Sequence, residues 1–484
     1  MDARAPSLIR EQAYIDGAWV DAIGGGRFPV HDPSTSEVLG HVPDMGAAET
    51  RQAIEAAARA LPAWRARPAK ERAQILRRWF EAVMSEQEAL AAIITAEQGK
   101  PLTEARGEIA YGASFLDWFG EEGRRVYGDV LPSPSGDRRL LALKQPIGVT
   151  AAITPWNFPS AMLTRKVGAA LAAGCTMVVK PAEQTPFSSL ALVALAEAAG
   201  VPKGVVNVVT ALDPAPVGLE LTQNPVVRKI SFTGSTEVGK ILLRQAASNV
   251  QKCSMELGGN APLIIFDDAD FERALKGAIA TKYRNGGQTC VSANRILAHA
   301  SIAQSFADRL AQAATTLKVG DGREEGAAVG PLIEEAAVEK CERHIADALS
   351  RGAKLLAGGK RHALGGTFFE PTVLGNVGED ALIAQEETFG PVAPVIPFKD
   401  EADAIRIANS TPYGLAAYFY ARDLARIFRV AEALEFGMVG VNETLITTEV
   451  APFGGVKHSG LGREGSRYGI EDYLEVKYVC LGGM

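Results

Sequence analysis

Cys290 stands in the stretch NGGQTCVSANR, residues 285–295, after two glycines, a glutamine and a threonine. A glycine-rich turn offers a cysteine little to pack against, so the turn either presents the thiol or carries it incidentally. A presented thiolate is a strong nucleophile toward a polarised carbon. Cys175 and Cys480, by contrast, lie in apolar, strand-like runs and are most simply buried small residues.

Two other turns carry polar groups that a nucleophile of this kind needs. TPWNFP (154–159) holds Asn157 between two prolines, and a rigid carboxamide N–H is a good donor to a developing oxyanion. An asparagine that satisfies loop carbonyls is the equally simple alternative. ELGGN (256–260) sets Glu256 beside two glycines, where a flexible backbone can bring a carboxylate to a substrate, although in isolation it is also an ordinary turn glutamate.

Two more turns could hold a nucleotide. In TGSTEVG (233–239), backbone N–H groups at a helix N-terminus can bind a phosphate, although the same junction is an ordinary helix cap. In KPAE, Lys180 and Glu183 are either a solvated pair or a ribose site. A carboxylate there binds ribose hydroxyls and repels a 2′-phosphate, which predicts NAD over NADP.

The elements that position these turns alternate in type. Short apolar runs such as GVTAAIT and TMVVK alternate with helices of about ten residues, which is typical of βαβ units and a parallel sheet. Ligands bind at the carboxyl ends of such strands, where all four turns lie. The predicted helices are 160–173, 186–199, 215–223 and 236–248, then 270–283, 301–317, 334–350, 401–409 and 423–433. We therefore predict two α/β lobes that meet near 253–260.

The ends of the chain differ from this pattern. Short alternating pieces between 14 and 43 predict small antiparallel strands, and helices are predicted over 47–60, 70–98 and 104–125. The C-terminal segment YLEVKYVCL is predicted to be a β-strand that pairs with the edge of a sheet, which indicates subunit association.

Composition excludes several classes of function. The chain has 484 residues, 47% apolar and 22% charged, with a net charge of -7. An acidic chain of this kind is not expected to bind nucleic acid or anionic membranes. The five scattered cysteines disfavour a disulfide framework and a structural zinc site, and we expect no metal. With no long apolar run and no signal-peptide core, the expected location is the cytoplasm.

The turns, taken together, resemble the NAD(P)-dependent aldehyde dehydrogenases over essentially the whole chain. TPWNFP, KPAE, FTGSTEVG, MELGGNAP, GQTC, EETFGPV (386–392) and APFGG (451–455) occur in that family's order. The resemblance implies two Rossmann-like lobes and a small β oligomerisation element. It assigns 1–125 and 144–252 to a dinucleotide-binding domain, 253–445 to a catalytic domain, and 126–143 with 466–484 to the oligomerisation element of a homodimer or homotetramer.

The same resemblance implies roles for particular residues. Cys290 would be the nucleophile, Asn157 with the Cys290 backbone N–H would hold the oxyanion, and Glu256 would be the general base for water. Glu387 would bind the nicotinamide ribose and Phe389 would lie beside the ring, with NAD preferred and NADP possible. The remaining cofactor contacts expected are Thr154, Pro155, Trp156, Lys180, Ala182, Glu183, Thr233, Gly234, Ser235 and Leu257.

The substrate implied is a small carboxylated aldehyde. The segments around 153–175, 282–290 and 458–480 resemble succinate-semialdehyde dehydrogenases. That group binds the distal carboxylate of its substrate with two arginines and a serine, and the corresponding residues here are Arg165, Arg284 and Ser459. Guanidinium groups bind carboxylates through paired, charge-assisted hydrogen bonds. Taken separately, each is also an ordinary surface charge or loop hydroxyl.

Two departures from that group bear on function. Ser292 stands where some relatives carry a second cysteine, so no local disulfide with Cys290 is expected. Thr444 replaces a common glycine in a region expected to face the pocket, which leaves glutarate semialdehyde or another ω-oxo acid as an alternative substrate. A catalytically silent member and a CoA-acylating enzyme are further alternatives. Intact Cys290, Glu256 and Asn157 argue against the first, and Glu256 as hydrolytic base argues against the second.

Overall fold

The structure is a computed structural model that describes residues 8–483. Its strands are β1 (Ala13–Ile15), β2 (Ala18–Val20), β3 (Arg27–His31), β4 (Val38–Pro43), β5 (Asp129–Leu131), β6 (Arg138–Pro146), β7 (Val149–Ile153), β8 (Thr176–Lys180), β9 (Val206–Val208), β10 (Val227–Thr233), β11 (Lys252–Glu256), β12 (Ala261–Ile265), β13 (Ala293–His299), β14 (Lys354–Ala357), β15 (Thr372–Gly375), β16 (Val392–Phe398), β17 (Ala416–Tyr420), β18 (Met438–Val441), β19 (Gly460–Leu461) and β20 (Leu474–Gly482).

The helices are α1 (Ala47–Ala66), α2 (Ala69–Ser85), α3 (Gln87–Gln98), α4 (Leu102–Glu122), α5 (Pro159–Ala173), α6 (Pro186–Ala198), α7 (Pro214–Gln223), α8 (Thr236–Ala246), α9 (Phe271–Tyr283), α10 (Ala303–Ala314), α11 (Glu335–Ser350), α12 (Leu382–Gln385), α13 (Glu401–Asn409), α14 (Leu424–Ala433) and α15 (Ser466–Glu471).

The first large sheet has the order β19-β11-β10-β7-β8-β9-β1-β2. Its five central strands, β11 to β9, run parallel, and antiparallel strands close both edges. The chain runs from β7 to β8 and β9 on one side, and then returns to β10 on the other side of β7. In open α/β sheets such a reversal opens a crevice at the carboxyl ends of the strands, which is where ligands bind.

The second large sheet has the order β14-β15-β16-β13-β12-β17-β18 and is parallel except at β14. Strands such as β8 and β12 are buried along their whole length, because helices cover both faces of each sheet. The predicted α/β architecture of two parallel-sheet lobes is therefore confirmed.

Several boundaries differ from those predicted; the helix expected over 47–60, for example, continues to Ala66. The helix expected over 70–98 is interrupted at Glu86, which has φ -105° and ψ 20°, and is therefore two helices, α2 and α3. Residues 253–256 complete β11 of the first sheet, which moves the crossing between the sheets to 257–260. The division into functional domains stays a prediction.

The C-terminal strand pairs within its own chain. β20 lies antiparallel to β6 along nine residue pairs, from Leu474 opposite Pro146 to Gly482 opposite Arg138. Strand β5 pairs with the other edge of β6, so β20 is the edge strand of this small sheet. Helix α15, which precedes β20, packs on α4 and α5 of the first lobe.

Over residues 8–483, no helix has the length and apolar character needed to cross a membrane. Nor do the side chains of this range bring together three or more His, Cys, Asp or Glu residues as a metal site.

Candidate active site

Four loops meet at one edge of the first sheet. The parallel strands β11, β10, β7 and β8 lie side by side, and their carboxyl ends lead into ELGGN, TGSTEVG, TPWNFP and KPAE. The sequence predicted that each loop follows a strand, and the sheet order makes the four loops neighbours. This edge faces the second sheet across the crossing at 257–260.

The Cys290 turn comes from the second lobe, between α9 and β13. Asn285, Gly286 and Gly287 have φ values of 51°, 62° and 78°, so three successive residues are left-handed. A Cβ at Gly287 would overlap the carbonyl oxygen of Gly390, so only glycine fits there. The glycines therefore reverse the chain sharply between helix and strand, and Cys290 emerges at the cavity between the lobes.

This cavity has a volume of about 780 Å³. Its wall contains most of the site residues predicted from sequence: Pro155, Trp156, Asn157, Arg165, Thr233, Gly234, Ser235, Glu256, Leu257, Arg284, Cys290, Glu387 and Phe389. Residues more than 230 positions apart in the chain thus line the same cavity. The structure brings the three predicted catalytic residues together.

Asn157 is held by hydrogen bonds on both its side chain and its backbone. Its side-chain amide donates to the Gln288 carbonyl oxygen at 2.9 Å, two residues before Cys290. Its own carbonyl oxygen accepts from Lys100 Nζ at 2.6 Å and from Asn285 Nδ2 at 3.1 Å. One amide hydrogen is thereby used to join the two loops, and the carboxamide is fixed beside Cys290.

Cys290 is protonated in this environment. Burial raises the pKa of its thiol to about 12, and the nearby Glu387 carboxylate adds to the rise, while Arg165 opposes it. A thiol of this kind becomes a nucleophile when a base removes its proton.

Glu256 has the properties of such a base. Burial, and next the charge of Glu464, raise its pKa well above the ordinary value, against the opposing charges of Arg165 and Lys166. Neither carboxylate oxygen has a hydrogen-bond partner among residues 8–483. A buried carboxylate without partners favours accepting a proton.

Glu464 was not predicted from sequence. Arg165 Nε lies 2.5 Å from Glu464 Oε2, and Lys166 Nζ forms an ion pair with the other carboxylate oxygen. Although burial opposes it, these two cations lower the pKa of Glu464 to about 2. Glu464 is thus a fixed negative charge that neutralises part of Arg165, and no local sequence signal points to a contact between residues almost 300 positions apart.

The two predicted arginines differ in their pairing. The Arg165 guanidinium is buried, stacks 4.2 Å from the centroid of Phe453 and keeps Nη1 without a hydrogen-bond partner in the described chain. The Arg284 guanidinium lies 5.4 Å from the Phe158 ring centroid. It makes no ion pair with any carboxylate of residues 8–483. Its charge acts on the nearby Glu104 carboxylate without forming an ion pair with it, so Arg284 can still pair with an anionic ligand in the cavity.

Ser459 and Thr444 do not line the cavity. The Ser459 hydroxyl donates to the Gly258 carbonyl at 2.7 Å and accepts from the Gly414 N–H at 2.8 Å, so both its hydrogen-bonding capacities serve the backbone. Thr444 is buried, with its methyl group toward Gly277. The region around Thr444 does face the cavity, as predicted, but it does so through Leu445 and Thr447 and not through Thr444 itself.

The predicted nicotinamide side of the cavity is aromatic and acidic. The Trp156 and Phe389 rings lie 5.6 Å apart at 87°, and Phe389 has φ 57°, an uncommon conformation for a non-glycine residue. Glu387 accepts from the Gly259 N–H at 3.0 Å, and burial raises its pKa to about 7. Lys340 on α11 also lines this wall and was not predicted.

The loops can accommodate a nucleotide. Ser235 caps α8 by accepting from the Val238 N–H at 3.3 Å, and the buried hydroxyls of Thr154 and Thr233 lack hydrogen-bond partners among residues 8–483. Such orphaned hydroxyls at strand ends fit a polar ligand that lies across the sheet edge.

Lys180, Ala182, Glu183 and Thr154 lie outside the cavity wall. They sit next to it, because Thr154 N–H donates to the Lys180 carbonyl at 3.1 Å. Lys180 Nζ donates to Glu183 Oε2 at 2.8 Å, which fixes the carboxylate at the end of β8. The predicted adenosine-side residues therefore form a separate polar group one strand away.

Comparisons with known proteins agree with this geometry. Residues 19–479 match the profile of the Aldehyde dehydrogenase family. The chain is 62% identical to a glutarate-semialdehyde dehydrogenase of Pseudomonas aeruginosa over 484 residues, covering 100% of both chains. It is 62% identical to the NADP-dependent succinate-semialdehyde dehydrogenase of Escherichia coli over 476 residues, covering 98% of each. The structure of succinate-semialdehyde dehydrogenase from Burkholderia pseudomallei superposes with a TM-score of 0.98 at 61% identity, with 100% of both chains covered.

Proposed function

This chain belongs to the aldehyde dehydrogenase family, and from that premise we propose that it oxidises a short ω-oxo carboxylate to the dicarboxylate. Succinate semialdehyde and glutarate semialdehyde are the substrates proposed, since full-length relatives at 62% identity carry both names. The cofactor is a nicotinamide dinucleotide.

The observation that carries the substrate class is the charge of the cavity wall. Arg284 lines the same cavity as Cys290, beside the Phe158 ring and without an ion pair among residues 8–483. A guanidinium that makes no ion pair can bind a carboxylate through paired, charge-assisted hydrogen bonds. A terminal carboxylate at Arg284, with the aldehyde carbon at Cys290, satisfies both ends of the cavity.

The reaction begins at the Cys290 thiol. The Sγ–H proton passes to the Glu256 carboxylate, directly or through water, as sulfur bonds to the aldehyde carbon and its oxygen becomes an oxyanion. The remaining Asn157 amide hydrogen and the Cys290 backbone N–H stabilise that oxyanion. Each donor of this type contributes about 100- to 1000-fold in rate.

A bound NAD or NADP would supply the hydride acceptor for the tetrahedral carbon. Ser235 and the α8 N-terminus would hold the phosphates, Lys180 and Glu183 the adenosine ribose, and Glu387 the nicotinamide ribose. Trp156 and Phe389 would enclose the ring and exclude water from the sulfur.

Loss of hydride leaves a thioester on Cys290, which water must cleave. Glu256 first releases the proton of the thiol to solvent, then takes a proton from water as the water oxygen adds to the acyl carbon. That proton passes to the sulfur as the C–S bond breaks. The products are the dicarboxylic acid, the reduced dinucleotide, one proton released to solvent and free enzyme. Glu256 argues for water rather than CoA as the acyl acceptor.

NAD is proposed as the preferred cofactor. Glu183 is fixed by Lys180, and its negative charge favours ribose hydroxyls over the 2′-phosphate of NADP. One close relative is NADP-dependent, so both dinucleotides belong in any assay.

A homo-oligomer in the cytoplasm is proposed as well. Val476 and Tyr478 on the edge strand β20 are 69% and 61% exposed, which is unfavourable for a free apolar strand. A second copy of the chain that covers this strand would bury both side chains. Sedimentation of wild type and of Val476→Lys tests this, and a monomeric wild type would refute it.

The test of activity is steady-state reduction of NAD and of NADP with succinate semialdehyde, glutarate semialdehyde and neutral aldehydes of four and five carbons. We expect carboxylated aldehydes to be preferred and Cys290→Ala to be inactive. Undiminished turnover by Cys290→Ala, or no turnover by wild type with any aldehyde, would refute the proposal. Acyl-CoA formed on addition of CoA would favour the acylating alternative.

A further inference from the structure

We propose that the Tyr111 hydroxyl is a third ligand for the substrate carboxylate, beside Arg284 and Arg165. This inference rests on the proposed function, because it assumes that the substrate has a terminal carboxylate. It assigns to α4, which no predicted site residue occupies, a part in choosing the substrate.

Helix α4 presents one face to the cavity. Glu104, Gly107, Glu108 and Tyr111 line its wall at the i, i+3, i+4 and i+7 spacing of a single helix face. Tyr111 is fixed on this face by its ring, which packs edge-on against Phe115 at a centroid distance of 5.0 Å. The phenol is therefore a rigid part of the wall.

The Tyr111 hydroxyl has no hydrogen-bond partner of acceptable geometry among residues 8–483, and it is shielded from solvent. Buried tyrosine hydroxyls are normally paired, and an unpaired one costs about 1–3 kcal/mol. Arg165 Nη1, at the same wall, is also without a partner. Two orphaned donors at one cavity wall fit a ligand that accepts from both.

Two arginines lie near the phenol. Arg165 lies within hydrogen-bonding range of it, but not in good geometry for a bond. Burial raises the pKa of Tyr111, while the charges of Arg165 and Arg284 oppose that rise. The phenol thus stays protonated and donates. A substrate carboxylate beside the phenol can share its two oxygens among Arg284, Arg165 Nη1 and the Tyr111 hydroxyl, all of which are donors.

Tyr111→Phe tests this, because it removes only the hydroxyl. In the full-length enzyme we expect kcat/KM for succinate semialdehyde to fall about 10- to 100-fold, mainly through KM, as for one lost hydrogen bond to a charged group. With butanal, which has the same number of carbons and no carboxylate, kcat/KM should stay within about twofold. Inhibition by succinate should weaken in parallel with the first value.

Thermal unfolding separates this role from a structural one. An orphaned hydroxyl stabilises nothing, so Tyr111→Phe should unfold at or above the wild-type temperature. The matched control is Tyr283→Phe, which removes a buried hydroxyl that donates to the Thr372 carbonyl at 3.1 Å and should lower the unfolding temperature.

The outcomes are distinct. If wild type prefers succinate semialdehyde to butanal and Tyr111→Phe leaves that preference unchanged, the Tyr111 assignment is wrong and the proposed function stands. Equal losses for both aldehydes, or a lower unfolding temperature, would also overturn the assignment. If wild type has no preference for the carboxylated aldehyde, the substrate class and the Tyr111 assignment both fail.

Discussion

The Lys100 ammonium lies 2.6 Å from the backbone carbonyl oxygen of Asn157 and 2.6 Å from Glu108 Oε2, and the side chains of this ion pair are fully buried. Glu108 in turn accepts from the Ser160 N–H at 2.9 Å, at the start of α5. The buried pair thus holds the loop that carries the proposed oxyanion donor at both of its ends.

Replacing Lys100 by methionine should misplace Asn157. We expect kcat to fall about 10- to 100-fold with little change in KM, since an oxyanion contact operates mainly in the transition state. Stability should fall by about 3–5 kcal/mol, because Glu108 is left as an unpaired buried charge. Urea unfolding and steady-state kinetics measure the two effects.

The double variant Lys100→Met/Glu108→Gln separates them. Removing both charges should restore much of the stability but not kcat, because the bond to the Asn157 carbonyl is still missing. Recovery of kcat along with stability would show that Lys100 acts on folding alone.

Arg284→Ala should discriminate between charged and neutral aldehydes. Loss of a charge-assisted hydrogen bond predicts a fall of about 10- to 150-fold in kcat/KM for succinate semialdehyde, carried by KM, and little change for butanal. The exposed Arg309, paired with Glu272 at the surface, provides the control Arg309→Ala. An equal fall in kcat/KM for both aldehydes would show that Arg284 does not bind the substrate carboxylate.

Glu256 should make turnover dependent on pH. Only the ionised carboxylate accepts a proton, so kcat should rise with pH along an acid limb centred well above the ordinary glutamate pKa, in the direction that burial imposes. Glu256→Gln should abolish this limb and lower kcat by about 100- to 10,000-fold. A pH–rate profile of both proteins provides the measurement, and an unaltered limb in the variant would assign it to another group.

The same shift has a consequence for stability. Because folding raises the pKa of Glu256, the native state binds this proton more tightly than the unfolded chain, and stability falls as pH rises from about 4.5 through the raised value. Glu256→Gln removes that penalty. Its unfolding temperature should equal that of wild type near pH 4 and exceed it increasingly toward pH 8.

Glu183→Ser should shift the cofactor preference. Without the carboxylate, Lys180 Nζ loses its partner at 2.8 Å and becomes available to a 2′-phosphate. We expect the ratio of kcat/KM for NADP to that for NAD to rise by about tenfold or more. Glu220→Ser, which breaks a pair with Arg51 away from the loops, is the control. An unchanged ratio would place cofactor discrimination elsewhere.

The alternation of strands and helices, and the polar turns that follow the strands, are local features, so the sequence predicts them well. Cys290, Glu256 and Asn157 could be proposed because each stands in a short motif with glycine or proline, whose backbone constraints are local. The same reasoning missed the break at Glu86, since α2 and α3 are placed by their contacts with α4 and α6, which local sequence does not specify.

What only the tertiary structure decided is where individual side chains point. Ser459 and Thr444 belong to segments that matched the pocket of related enzymes, yet packing turns their hydroxyls away from the cavity. Glu464, Lys100 and Tyr111 carry no local signal, because their partners lie on other elements of the chain. Local sequence restricts backbone conformation, whereas contact between distant residues is set by how helices and sheets pack, and that packing assembled the charges around Cys290.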